Sequence, residues 1–164
     1  MRFAFVSVWF QLLWFLAVIG QQQTQWWLLF AVVCTYAYEW KRYSPPLRQW
    51  FAISAVGIAM DYCNLKAQLF DFSNDFLPVW LMCLWFLFAW YAYNLMPIVK
   101  RIPFAVLMPI GGGLGAASYL AGAQLGAVVL PYSLSLSFGV LFIEWSLLML
   151  LIIKVVFRDN PRIR

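Results

Sequence analysis

Apolar residues fall in long blocks separated by short polar punctuation, and that block pattern is the strongest structural signal in the chain. The runs cover 3–19, 26–40, 50–64, 77–96, 103–120 and 134–157. A helix that crosses a bilayer needs about 20 predominantly apolar residues, somewhat fewer at the shortest. Six such runs predict an all-α, polytopic membrane bundle of about six transmembrane helices within a single domain spanning 1–164. Periodicity adds little, because in hydrocarbon the faces toward lipid and toward the core are both apolar.

The punctuation fits this layout. Gly20 and the polar stretch Gln21, Gln22, Gln23, Thr24, Gln25 separate the first two runs. Ser44, Pro45 and Pro46 stop the second and turn the chain. The third decays into Asn64, Lys66 and Gln68 and an acidic loop from Asp71 to Asp75. Pro78 suits the first turn of the fourth run. Trp9, Gln11 and Trp14 are bulky or polar for the core of a signal peptide, so the first run is expected to be retained as a span.

Composition explains why the bilayer must be the solvent: the chain is 65% hydrophobic and 10% charged, against about 45–50% and 25% for an ordinary soluble domain. The net charge of +5 would raise the question of nucleic acid on a soluble protein. Here the Lys and Arg residues lie in small groups between apolar runs, which marks topology and excludes a phosphate-tracking groove. With the amino terminus inside, Arg2, Lys41, Arg42, Arg48, Lys100, Arg101, Lys154, Arg158, Arg162 and Arg164 all fall on the inner side, and Lys66 alone falls outside. The positive-inside rule therefore predicts that both ends are cytoplasmic. Trp26 and Trp27 would sit at the outer interface, and Trp40, Tyr43 and Trp50 at the inner one.

Candidate chemistry is sparse. The chain has no histidine, and Cys34, Cys63 and Cys83 lack metal-ligand spacing, so neither a metal nor another cofactor is expected. Ionisable groups within spans are costly and become functional candidates by default. Asp61 lies in the outer half of the third run, where Asn64 and Lys66 offer partners, and Glu144 near the middle of the sixth, with no basic residue at its depth. Gln11 and Asn94 are intramembrane amides that need interhelical hydrogen bonds. Glu39 stands beside Lys41 and Arg42, a setting for an ion pair. Gly111, Gly112, Gly113, Gly115, Gly122 and Gly126 form a packing or cavity segment: Gly111/Gly115 and Gly122/Gly126 each have the spacing that lets helices approach closely. The other reading is that Pro109 and the glycines interrupt the helix and line a cavity.

Several stretches carry a family resemblance: Phe10-Gln11-Leu12-x-Trp14-Phe15 with Val18, then Asp61, Trp85 and Asn94, and above all Gly112-Gly113 leading to Ser118-Tyr119-Leu120-Ala121-Gly122-Ala123 and Leu125-Gly126. On these the chain resembles, over nearly its whole length, an uncharacterised family of small proteobacterial inner-membrane proteins. It departs at Gln124, where similar proteins tend to carry arginine. The resemblance implies a bacterial inner-membrane location and an uncleaved first helix, and it brings no reaction with it.

The expected role is lipid or small-molecule handling or transport, with membrane lipids as partners. The alternative is a non-catalytic membrane partner or assembly protein, acting with a second membrane protein or as a homo-oligomer. A carboxylate-based, lipid-modifying membrane enzyme comes third, because no histidine cluster, metal-ligand set or activated nucleophile is legible.

Overall fold

In the computed structural model, residues 2–72 and 76–158 are described, the last four of them in backbone only. Ser73 to Asp75 of the expected acidic loop, and the tail with Arg162 and Arg164, lie outside the described residues. Five helices follow one another: α1 (Arg2–Tyr43), α2 (Leu47–Lys66), α3 (Val79–Val99), α4 (Phe104–Gln124) and α5 (Leu134–Arg158). Among the described residues there is no strand, only an isolated antiparallel bridge between Asp71 and Val129.

The helix ends follow the proline punctuation. Pro46, Pro78 and Pro103 occupy the positions just before α2, α3 and α4, where a missing N–H costs nothing because the first turn has no intrahelical acceptor for it. Pro97 falls in the last turn of α3. Gly126, at φ +75°, opens the turn that leaves α4, a conformation that glycine adopts without steric cost.

Four helices are long and apolar enough to cross a membrane: α1, α3, α4 and α5. This is a lower count than the six runs in the sequence, and the reason is physical. The first two runs share α1, because the polar stretch after Gly20 stays helical and only Gln21 leaves helical geometry, at φ 45° and ψ −124°. The third run forms α2, whose Gln49, Asp61, Asn64 and Lys66 dilute its apolar character.

The break at Gln21 reverses the chain. On a straight helix Trp9 and Thr35 would stand about 39 Å apart, yet the Trp9 indole donates to Thr35 Oγ1 at 3.1 Å. The Thr24 hydroxyl reaches back to the Leu16 carbonyl at 2.9 Å, and Arg2 pairs with Glu39 at 3.2 Å. α1 is therefore a helical hairpin. Its outer surface carries Phe5, Val8, Leu12, Phe15 and Ile19, all exposed at helical spacing, an apolar stripe that hydrocarbon accepts and water would not.

α3 is the central helix, with α1 and α2 packed along it, while α4 packs chiefly on α5. Trp50, Ile53, Leu87, Ala89 and Met96 fill the interior beside α3. Trp50 is fully buried, against Tyr36 and Tyr93, so it is a core residue and not an interfacial anchor. Side-chain hydroxyls bridge helices: Tyr36 donates to the Phe86 carbonyl at 3.0 Å and Ser54 to the Trp85 carbonyl at 3.2 Å.

α4 runs unbroken through Pro109 and the glycines. A Cβ on Gly112 would lie 2.9 Å from the Phe142 carbonyl oxygen and would strike Ser146, so α4 and α5 meet there because the side chain is absent. Gly113 faces open space. Gly112→Ala is accordingly expected to destabilise by about 1–3 kcal/mol through overpacking. Gly113→Ala should instead stabilise by about 0.5–1 kcal/mol through backbone entropy. Unfolding midpoints in detergent micelles check the opposite signs.

Candidate functional site

Asp61 is the centre of the site. It faces inward from α2 with no exposed surface, and each of its oxygens has its own donor from a different helix. The Trp85 indole N–H of α3 donates to Oδ2 at 2.6 Å, and the Tyr119 hydroxyl of α4 donates to Oδ1 at 2.6 Å. Trp85 can sit there because α2 has Gly57 one turn before Asp61, where a Cβ would fall inside the indole.

One turn after Asp61, on the same face of α2, the Asn64 amide donates to Glu144 Oε2 of α5 at 2.7 Å. The expected assignment of Asn64 to Asp61 is thus replaced. Asp61 is satisfied by an indole and a phenol, which leaves the amide for the second carboxyl. Lys66 instead rests over the Tyr62 ring, 5.4 Å from its centre.

An aromatic wall surrounds the two carboxyls. Trp85 and Trp145 stack at 5.3 Å between centroids, Phe88 meets Trp145 edge-on at 5.0 Å, and Phe70 stacks on Tyr119 at 5.0 Å. Gly115 of α4 makes room for Trp145 as Gly57 does for Trp85, since a Cβ at Gly115 would overlap the ring. These rings and the two acidic links join the α4–α5 pair to α2 and α3.

Two hydrogen-bonding positions remain open. The buried indole N–H of Trp145 has no partner. The half-buried Glu144 accepts only the Asn64 amide, so Oε1 accepts nothing among the described residues. A buried donor without an acceptor costs about 1–3 kcal/mol, so the Trp145 indole is a strained point in the joint.

The other candidates lie elsewhere. Asn94 belongs to a second polar cluster at the opposite end of α3: its Oδ1 accepts from Arg2 at 2.9 Å, and its amide donates to the Trp90 carbonyl at 2.9 Å. Glu39 is buried there and takes Arg2 and the Trp90 indole at 3.1 Å. The ion-pair partner of Glu39 is therefore Arg2, brought across by the hairpin, and not the adjacent Lys41 or Arg42. Gln11 is exposed and makes no side-chain hydrogen bond among the described residues. Of the glycines, Gly111 packs beneath Met149, while Gly122 meets nothing within 4 Å and Gly126 lies beyond the helix end, so Gly122 and Gly126 do not form a helix-face pair.

Trp145 and Gly57 were not singled out in the sequence, and Trp85 and Tyr119 entered there only as residues of the family resemblance, with no polar task assigned to them. The carboxyls were the chemical signal of the site, because a tryptophan among ten tryptophans carries no mark of having a polar task.

Four apolar helices with an inward-facing set of polar side chains define an integral membrane protein of helical type. The family model described as a protein of unknown function, DUF2878, matches residues 4–151, and the chain belongs to that family. No curated protein and no solved structure matches it.

Tyr119→Phe is expected to cost about 1–3 kcal/mol by leaving Asp61 Oδ1 without its donor. The same change in an Asp61→Ala background should cost far less, because the two residues act as one unit. For Asn64 and Glu144 a double-mutant cycle should give a coupling of about 0.6 kcal/mol, and no more than about 1.7 kcal/mol. Denaturant unfolding in micelles measures both.

Proposed function

We propose that the chain crosses a bacterial inner membrane six times, with both ends cytoplasmic, and handles or transports a lipid or small amphiphile at the joint between α2, α3 and the α4–α5 pair. The six crossings are supported by the way the ends of the helices meet. Arg2, Glu39 and Asn94 gather at one end. At the other, the Gln21 amide donates to the Gly126 carbonyl at 3.0 Å, and Asp71 pairs with Val129. Counting the arms of α1 separately, each helix runs from one cluster of contacts toward the other. Ten basic residues then share one face and Lys66 has the other.

The observation that carries the functional reading is the fully buried Asp61 with the half-buried Glu144 close by, the second carboxyl held by Asn64 three residues after Asp61, beside the unpartnered indole N–H of Trp145. Intramembrane carboxyls of this kind mark substrate or proton pathways.

A second reading has one specific observation in its favour. Gln11 presents an amide to the lipid-facing surface of α1, and an amide in hydrocarbon gains by pairing with another helix. Assembly with a second membrane protein, or with another copy of the chain, would supply that partner.

Reconstitution into phosphatidylethanolamine and phosphatidylglycerol vesicles with a fluorescent phospholipid tests the first reading through transbilayer movement of the label. The wild type should move it, and Asp61→Asn and Glu144→Gln should each slow that movement at least about tenfold, the equivalent of 1.4 kcal/mol in the barrier, with unchanged helicity. A wild type no faster than empty vesicles would remove the transport reading. For topology, single cysteines at Ser44 and Arg101 should resist a membrane-impermeant thiol reagent in intact cells, whereas cysteines at Gln124 and Ser133 should react.

A further inference from the structure

A groove lies on the side of α2 away from Asp61. It has a volume of about 600 Å³ and runs between α2 and α3, with Phe51, Ala55, Ala59 and Tyr62 on one wall and Met82 and Phe86 on the other. The floor is open because Ala55 and Ala59, one turn apart, offer only methyl groups. From Phe51 to Tyr62 it extends about 16 Å at the helical rise, close to half of the roughly 30 Å hydrocarbon thickness of a bilayer. No polar side chain but the Tyr62 phenol contributes to it, and that hydroxyl makes no hydrogen bond among the described residues.

One turn beyond Tyr62 the same face of α2 ends in Lys66, exposed, with its ammonium over the Tyr62 ring. Among the described residues the ion pair present is Arg2–Glu39, so Lys66 has no carboxylate partner there. Among the described side chains it is also the one basic residue at its end of the helices. An apolar trough of one leaflet's depth, terminated by an unpaired cation and a phenol at headgroup level, has the chemistry of a phospholipid turned outside in.

We propose that this groove binds one anionic phospholipid, an acyl chain lying along Ala55 and Ala59 and the headgroup phosphate resting on Lys66 and the Tyr62 hydroxyl. The cation selects a net negative headgroup over a zwitterionic one, and the two alanines set the depth of the chain. The site depends on the protein being embedded in a membrane and not on its moving lipid, since Asp61 and Glu144 are not among the residues that line the groove.

The test is native mass spectrometry of the full chain in mild detergent, after equilibration with equal amounts of phosphatidylglycerol and phosphatidylcholine. The wild type should retain one phosphatidylglycerol in preference. Lys66→Gln, a surface change that leaves the fold intact, should reduce that preference about fivefold, the weight of one basic side chain near an anionic surface. Ala55→Phe, which fills the trough, should abolish retention of both lipids, and Lys100→Gln at the opposite end should change nothing. Equal retention in the wild type, Lys66→Gln and Ala55→Phe would overturn the proposal. So would a dimer that Ala55→Phe converts to monomer with bound lipid unchanged, which would assign the groove to a second copy. Loss of lipid retention in Ala55→Phe with transbilayer movement intact would uphold the groove and separate it from the carboxyl site.

Discussion

A carboxyl group in the interior of a membrane protein has no water to fall back on, and at Asp61 that constraint organises the surrounding helices. Each oxygen is held by one donor, the Trp85 indole and the Tyr119 phenol, from helices that make little other contact with one another. Removing either donor exposes the desolvation cost of a buried acceptor. α2 is thereby tied to α3 and α4 together, and the glycines at positions 57 and 115 follow from the same demand, since both indoles need backbone-level space to lie flat in the joint.

The rest of the polar inventory obeys the same logic at other depths. Arg2, Glu39, Trp90 and Asn94 satisfy one another at one end of the helices. Gln21 with Gly126 and Asp71 with Val129 do so at the other. Between these clusters the helices are held by packing and by isolated hydroxyl bridges such as Tyr36 to Phe86 and Ser54 to Trp85. Polar contacts in hydrocarbon are individually modest, about 0.6 kcal/mol on average, so their value here lies in fixing register and partner choice. Sliding one helix by a turn would strand several of them at once.

Much of this architecture is legible in the sequence, and the reason is solvent. Hydrocarbon imposes run length, so the helical character of every apolar block and the proline stops before α2, α3 and α4 can be read directly. Asp61 and Glu144 stand out because their burial is costly wherever it occurs. What escapes is partner identity. Asn64 looks like a companion of its neighbour Asp61 and serves Glu144 instead; Glu39 looks paired with Lys41 or Arg42 and takes Arg2. In both cases sequence proximity misleads because the geometry is set by how helices lie side by side. The reversal at Gln21 is hidden for a related reason: the glutamine-rich stretch retains helical geometry on either side of a single residue, so the polar composition marks the turn without revealing how tight it is.

That reversal bears on how the protein is made. Every contact that closes the α1 hairpin, from Thr24 on Leu16 to Arg2 on Glu39, lies within the first 43 residues of the chain. The two arms can mate as soon as they leave the translocation machinery, before the residues of α3 have been synthesised. With the guanidinium of Arg2 and the carboxylate of Glu39 brought into register on one side, the nascent hairpin is a finished wedge, a template against which later helices dock in order of their appearance.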